Sequence, residues 1–146
     1  MTVYRLPYPP TAGQGHGPKA YWIQVGSRKV LAKYAHTYRF LVAAAVRDAV
    51  RTHDPNGVLQ MRVSVHPPDR MRRDWDNIRK VLMDALVACN KKVKVQEGKK
   101  TVTRYLDIPA LKDDSNKHLV REWCEWLEVD PDGRVEIELT NLGGGR

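Results

Sequence analysis

The sequence predicts one domain of mixed α/β (α+β) class: a small mixed β-sheet, two main helices and an inserted β-hairpin. Three observations predict it. Leu59, Met61, Val63 and Val65 alternate with Gln60, Arg62, Ser64 and His66, the period of a strand with one buried face. Val135, Ile137 and Leu139 repeat that alternation near the end of the chain. Two other stretches carry apolar residues three and four positions apart, the spacing of an amphipathic helix. With 146 residues, 42% hydrophobic and 29% charged, the chain can bury a core and is not of disordered composition.

Taken in order, Thr2 to Leu6 reads as a first strand, ended by Pro7, Pro9 and Pro10, because proline cannot donate to a ladder. Thr11 to Pro18, with three glycines, reads as a mobile loop. Tyr21 to Leu31 reads as a short hairpin around Gly26. The first helix is expected over about Lys33 to Thr52, where Tyr34, Tyr38, Leu41, Val42, Ala45, Val46 and Ala49 share one stripe. Asp54-Pro55-Asn56-Gly57 is a turn signal before the strand at Leu59. The second helix is expected from near Asp74 or Asp76, on a stripe of Trp75, Ile78, Val81, Leu82, Ala85, Leu86 and Cys89.

Lys91 to Arg104 is basic and β-branched, with Glu97-Gly98 between its halves, and predicts a hairpin. Apolar residues in His118 to Leu127 fit both periods. The tryptophans there and a need to pair with the next strand in the chain favour a strand. Asp130-Pro131-Asp132-Gly133 is a second turn, and Arg134 to Thr140 the last strand. Residues 141–146 are expected to be a flexible tail, frayed from Gly143. No repeat or linker divides residues 1–146.

Lys and Arg number 25 against 17 Asp and Glu, a net charge of +8 that favours a polyanion such as nucleic acid. Cys89 and Cys124 make no disulfide framework or zinc pattern. The five histidines have no ligand spacing. No glycine-rich phosphate loop is present, so no nucleotide cofactor is expected. The longest apolar run, Phe40 to Val46, is too short to span a bilayer, and the first residues lack a signal-peptide pattern. The expectation is a cytoplasmic protein without a membrane partner.

Chemistry concentrates in Pro67 to Lys80, where the strand at Leu59 hands over to the second helix. Arg70, Arg72 and Arg73 precede Asp74 and Asp76, and Lys80 lies four residues beyond Asp76. Carboxylate oxygens hold hard divalent cations, and arginines hold phosphate oxygens. Together they suggest metal-assisted work on a phosphodiester. The plainer readings are a helix cap for the two aspartates and a surface ion pair for Lys80 with Asp84. Two carboxylates rarely complete a metal site. Asp113 and Asp114 are the best candidates for a third.

Pro68-Asp69-Arg70-Met71-Arg72-Arg73-Asp74-Trp75-Asp76-Asn77-Ile78-Arg79-Lys80, with Asp84-Ala85-Leu86, resembles the core motif of the RusA family of Holliday junction resolvases. Leu6 to Pro10, Lys112 to Asn116 and Arg134 to Leu139 resemble that family's first strand exit, double-aspartate motif and last strand. The resemblance implies a RusA-like α/β fold, a homodimer, and dependence on Mg²⁺, with Mn²⁺ as a substitute. It implies paired nicks across a four-way DNA junction. It implies Asp74, Asp76 and Asp114 as metal-binding catalytic carboxylates, Asp113 as an adjunct and Lys80 as the catalytic lysine. Arg70, Arg72 and Arg73 would bind the DNA backbone. Arg79 and the hairpin's Lys91, Lys92, Lys94, Lys99 and Lys100 are further candidates for DNA contact. Three departures stand out: Met71 replaces a frequent basic residue, the loop after Pro10 lacks an asparagine, and residues 90–111 are inserted. The insertion leaves Asp107 as a rival third carboxylate. A nuclease of broader branched-DNA range and a junction binder without cleavage are the alternative functions.

Overall fold

Among the described residues, ten elements follow one another: β1 (Thr2–Pro7), β2 (Trp22–Val25), β3 (Arg28–Leu31), α1 (Lys33–Asp48), β4 (Leu59–His66), α2 (Trp75–Ala88), β5 (Lys92–Glu97), β6 (Lys100–Tyr105), β7 (Leu119–Trp126) and β8 (Arg134–Asn141). The computed structural model describes residues 1–10, 22–31, 33–71, 73–88, 92–105, 110–112 and 114–143. At 22–24, 29–31, 88, 92, 93, 95, 104 and 105 only the backbone is described. The expected loop over Thr11 to Pro18 and Cys89 lie outside these residues.

Four strands form one mixed sheet in the order β1-β8-β4-β7. β8 is antiparallel to both of its neighbours, whereas β7 runs parallel to β4. Two parallel neighbours need a crossover, and the path through α2 supplies it. Here the sequence expectation fails: β7 does not pair with the strand that comes after it. The reason lies in burial. Val135, Ile137 and Leu139 are almost fully buried, so β8 takes a central place. β7 is exposed over most of its length and suits an edge. β2–β3 and β5–β6 are separate two-stranded hairpins, each turned by a glycine at positive φ, Gly26 and Gly98.

The helices cover one face of the sheet. Tyr4 and Leu6 of β1, Leu59 to Val65 at alternate positions of β4, and the three apolar residues of β8 meet Tyr38, Val42 and Val46 of α1 and Val81, Leu82 and Leu86 of α2. α1 is shorter than its periodicity predicts, ending at Asp48 rather than near Thr52. Competition for backbone groups explains this. The N–H groups of Thr52 and His53 donate to Thr2 Oγ1 at 2.8 and 3.0 Å, and Thr52 Oγ1 donates to the Met1 carbonyl. The first strand thus takes up donors that would otherwise extend the helix.

The expected tail also begins too early. Asn141 belongs to β8, its side chain is bonded at both ends to the Asp54 backbone, and Leu142 N–H donates to the Val58 carbonyl. Among the described residues, no helix is long and apolar enough to cross a membrane.

Candidate active site

β4 ends at His66, whose Nδ1 lies 3.0 Å from the Glu128 carbonyl, and Pro67 accepts the N–H of Asp130 at 3.0 Å. The chain then turns through Pro68 to Asp74 into α2. Arg73 closes this loop on itself. Its guanidinium meets the Asp69 carboxylate at 2.6 Å and donates to the carbonyls of Asp69 and Met71 at 3.2 and 2.9 Å. It also lies over the Tyr8 ring, 5.6 Å from the centroid. The Met71 N–H and then Arg73 hold the Asp69 carboxyl below its ordinary pKa. Burial raises the Tyr8 phenol, against the pull of Arg73. Gly133, at φ +67°, backs Tyr8 so closely that a Cβ there would sit 2.7 Å from the Tyr8 Cβ.

This closed loop delivers Asp74 and Asp76 to the head of α2, Asp76 in its first turn. Both are exposed. Among the described residues, neither carboxylate makes a side-chain hydrogen bond or an ion pair. The helix-cap reading of Asp74 therefore finds no bond to carry it. Two like charges two residues apart, with no cation on them among the described residues, form an electronegative spot beside a helix N-terminus that favours anions.

Arg79, one turn below, is paired within the fold. Its Nε donates to both carboxylate oxygens of Glu122 on β7 at 2.9 Å, and its Nη1 lies 3.8 Å from Asp114 Oδ2. That pairing brings the Asp114 loop to α2. Lys80 makes the expected surface pair with Asp84 at 3.5 Å, and Arg39 of α1 approaches the same carboxylate at 3.8 Å. Asp74, Asp76 and Asp114 do not converge: among the described residues, no three His, Cys, Asp or Glu side chains are grouped closely enough to hold a metal ion. Asp113, Asp107, Arg72 and Lys91 lie outside the described residues. Of the other basic candidates, Arg70, Lys94, Lys99 and Lys100 are exposed, and Lys92 has only its backbone in β5. β5 rests against α1. Burial, then the cations Arg39 and Lys94, hold His36 on α1 below the usual imidazole pKa.

Sequence reasoning missed Tyr8, Asp69 and Glu122. Asp69 and Arg73 carried a local signal, the i, i+4 spacing of opposite charges. Glu122 carried none, because it stands 43 positions from Arg79. Cys124, beside Glu122, is no thiolate ligand: burial, then the carboxylates of Glu122 and Glu125, push its pKa up to about 11.

The family model for endodeoxyribonuclease RusA matches residues 7–140. This chain belongs to the RusA family. The RusA match takes in the loop at Asp69, both carboxylate stretches and the hairpin between them. Over 82 residues the chain is 33% identical to the crossover junction endodeoxyribonuclease rusA of Enterobacteria phage HK97, covering 56% of this chain and 63% of that one. Over 81 residues it is 31% identical to crossover junction endodeoxyribonuclease RusA of Escherichia coli strain K12, covering 56% and 62%. The aligned part thus spans less than two thirds of these RusA relatives.

Proposed function

We propose that this chain is a structure-specific DNA endonuclease that resolves four-way junctions by paired, symmetric nicks and depends on a divalent cation, Mg²⁺ or in its place Mn²⁺. The observation that carries the reading is the pair Asp74 and Asp76: exposed, without a partner among the described residues, in a chain of the RusA family.

Asp74, Asp76 and Asp114 would hold the cation, with Asp113 or Asp107 as further oxygen donors. Their donor set suits it, since Mg²⁺ prefers carboxylate and water oxygens. When bound, such an ion supplies a nucleophilic water and positive charge on the phosphate oxygens. The rest falls to the protein. Lys80, on the same helix as Asp76, orients the scissile phosphate and offsets its developing charge. Arg70 and Arg72 hold the DNA backbone on the loop that Arg73 closes. Lys94, Lys99 and Lys100 line a basic ribbon that tracks a duplex arm, and Lys91 and Lys92 are further candidates for the same contact. The active species is a homodimer, since two symmetric cuts call for two equivalent sites related by a twofold axis. It acts in the cytoplasm of the cell that makes it.

The test is a labelled four-way junction incubated with the protein, with Mg²⁺ and with a chelator, beside a replication fork and plain duplex. Paired nicks confined to the junction and to Mg²⁺ are expected. Equal cutting of the fork favours a broader branched-DNA nuclease. Tight junction binding without any cut in Mg²⁺ or Mn²⁺ overturns the enzymatic reading.

A further inference from the structure

After the inserted hairpin the chain must return to α2 with Asp114 in place, and a buried histidine stands where it returns. His53 is 5% exposed. Its Nε2 lies 2.8 Å from the Ala110 carbonyl oxygen, and its Nδ1 lies 2.7 Å from Thr2 Oγ1. Thr2 Oγ1 already accepts the N–H groups of Thr52 and His53. Its own proton goes to Nδ1 at 2.7 Å, which is nearer than the competing Thr52 Oγ1 at 3.4 Å. That choice sets the tautomer: Nδ1 accepts, and Nε2–H donates to Ala110.

The returning segment is gripped just beyond this bond. Ala110 and Leu111 are both 0% exposed, and Lys112 N–H donates to the Pro55 carbonyl at 3.3 Å. Asp114 comes two residues later. On its far side Leu119 N–H donates to the Ser115 carbonyl, and Leu59 N–H to that of His118. The corner that carries His53 and Pro55 is itself tied to β8 through Asn141.

We propose that His53, as a neutral imidazole, is a positioning residue that latches the end of the inserted segment at Ala110 and so sets the loop that carries Asp114. The inference rests on the metal-binding role proposed for Asp114. It also accounts for how a chain with a long insertion keeps its third carboxylate near α2. Protonation would turn Nδ1 into a donor facing an oxygen that already accepts two N–H groups. The charged groups around the ring are Arg51 and the Met1 ammonium, which disfavour its protonated form, and Asp54, which favours it; the Tyr4 ring meets it edge to face. Burial outweighs these and holds the pKa below the ordinary value, despite the Ala110 carbonyl. The latch is therefore whole above the unfolded-chain value of about 6.5 and is lost as the pH falls below it.

Two variants test this. In His53→Gln the side-chain amide reaches where Nε2 stood and can still donate to Ala110; in His53→Phe the ring volume stays and the donor goes. Mn²⁺ affinity, four-way junction affinity and hydrogen exchange at Lys112 N–H are measured for each. His53→Phe should weaken Mn²⁺ binding roughly tenfold or more, the usual effect of losing a group that orients a ligand. It should speed exchange at Lys112 and leave junction affinity unchanged, while His53→Gln restores most of both losses. Wild-type Mn²⁺ affinity and Lys112 protection in His53→Phe, or a Gln variant no better than Phe, would overturn the latch. If His53→Phe does not fold, the wild-type protein decides. Its Lys112 exchange, corrected for intrinsic pH dependence, should rise only as the pH falls below about 6.5, and a profile that stays flat until the whole protein unfolds overturns the proposal. Asp114→Asn is run beside them. If that variant binds Mn²⁺ as wild type does, the positioning role falls with the site reading, whatever the exchange data show. If only His53→Phe is silent, the latch alone fails.

Discussion

Asp74 and Asp76 reach the head of α2 by a short loop, whereas Asp114 reaches the same helix only after the β5–β6 hairpin and a buried return. The first pair is placed mainly by neighbours in sequence: Asp69 and Arg73 close the loop, with Tyr8 and Asp130 among its distant supports. The second is placed by partners from far along the chain, His53, Pro55, Arg79 and Leu59. One half of the candidate site is therefore built by local chain geometry and the other by tertiary anchoring. Substitutions should divide the same way: damage near α2's head stays chemical, and damage to the anchors spreads through the loop of Asp114.

The largest expected effect is at Asp76. Asp76→Asn keeps the shape and removes the charge, so cleavage should fall by about a thousandfold or more, on the scale of several kcal/mol of metal-assisted charge stabilisation. Junction affinity should hold or rise. Near wild-type nicking in Mg²⁺ would remove Asp76 from the chemistry and dissolve the contrast between the two halves.

Lys80→Ala comes next. As a group acting on the scissile phosphate, Lys80 should be worth about a hundredfold in turnover with little change in affinity. As no more than the observed partner of Asp84, it would be worth only about 0.3–0.5 kcal/mol of stability and nothing in rate. Single-turnover rates beside thermal melts separate the two.

Arg79→Gln probes the anchored half. Without its ties to Glu122 and Asp114, the Asp114 loop should loosen and turnover should drop by roughly tenfold, the scale of orienting groups around a metal ligand. Because this guanidinium is engaged within the fold, the salt dependence of junction binding should not move. A slope that flattens by about 0.9 would show that Arg79 touches phosphate after all.

The smallest effect on chemistry should come from replacing Val93 to Arg104 with a Gly-Ser turn. Junction binding should weaken and log affinity should fall less steeply with log salt, by about 0.9 for each phosphate that the hairpin no longer neutralises. The catalytic step at saturating protein should stay close to wild type. An unchanged slope would give the hairpin's lysines a different task, such as deterring edge-to-edge strand pairing.

The parts of this protein legible in its sequence are those made by residues close together in the chain. Alternation at Leu59 to Val65 and Val135 to Leu139, the helical stripes, the turns at Asp54 to Gly57 and Asp130 to Gly133, and the Asp74–Asp76 pair all come from one-dimensional periods and short-range turn chemistry. Other features were decided only when the chain packed. β7 took the sheet edge beside β4, because β8, with Val135, Ile137 and Leu139 alternating on one buried face, claimed the centre. α1 stopped at Asp48, and beyond it Thr2 took the donors of Thr52 and His53. Arg79, which reads as a DNA contact, went to Glu122, and His53, which carries no signal in the sequence, met Ala110 from 57 positions away. The physical reason is the same in each case. A hydrogen bond or ion pair between distant residues depends on which surfaces the core brings together, and nothing in the local pattern of either partner records that choice.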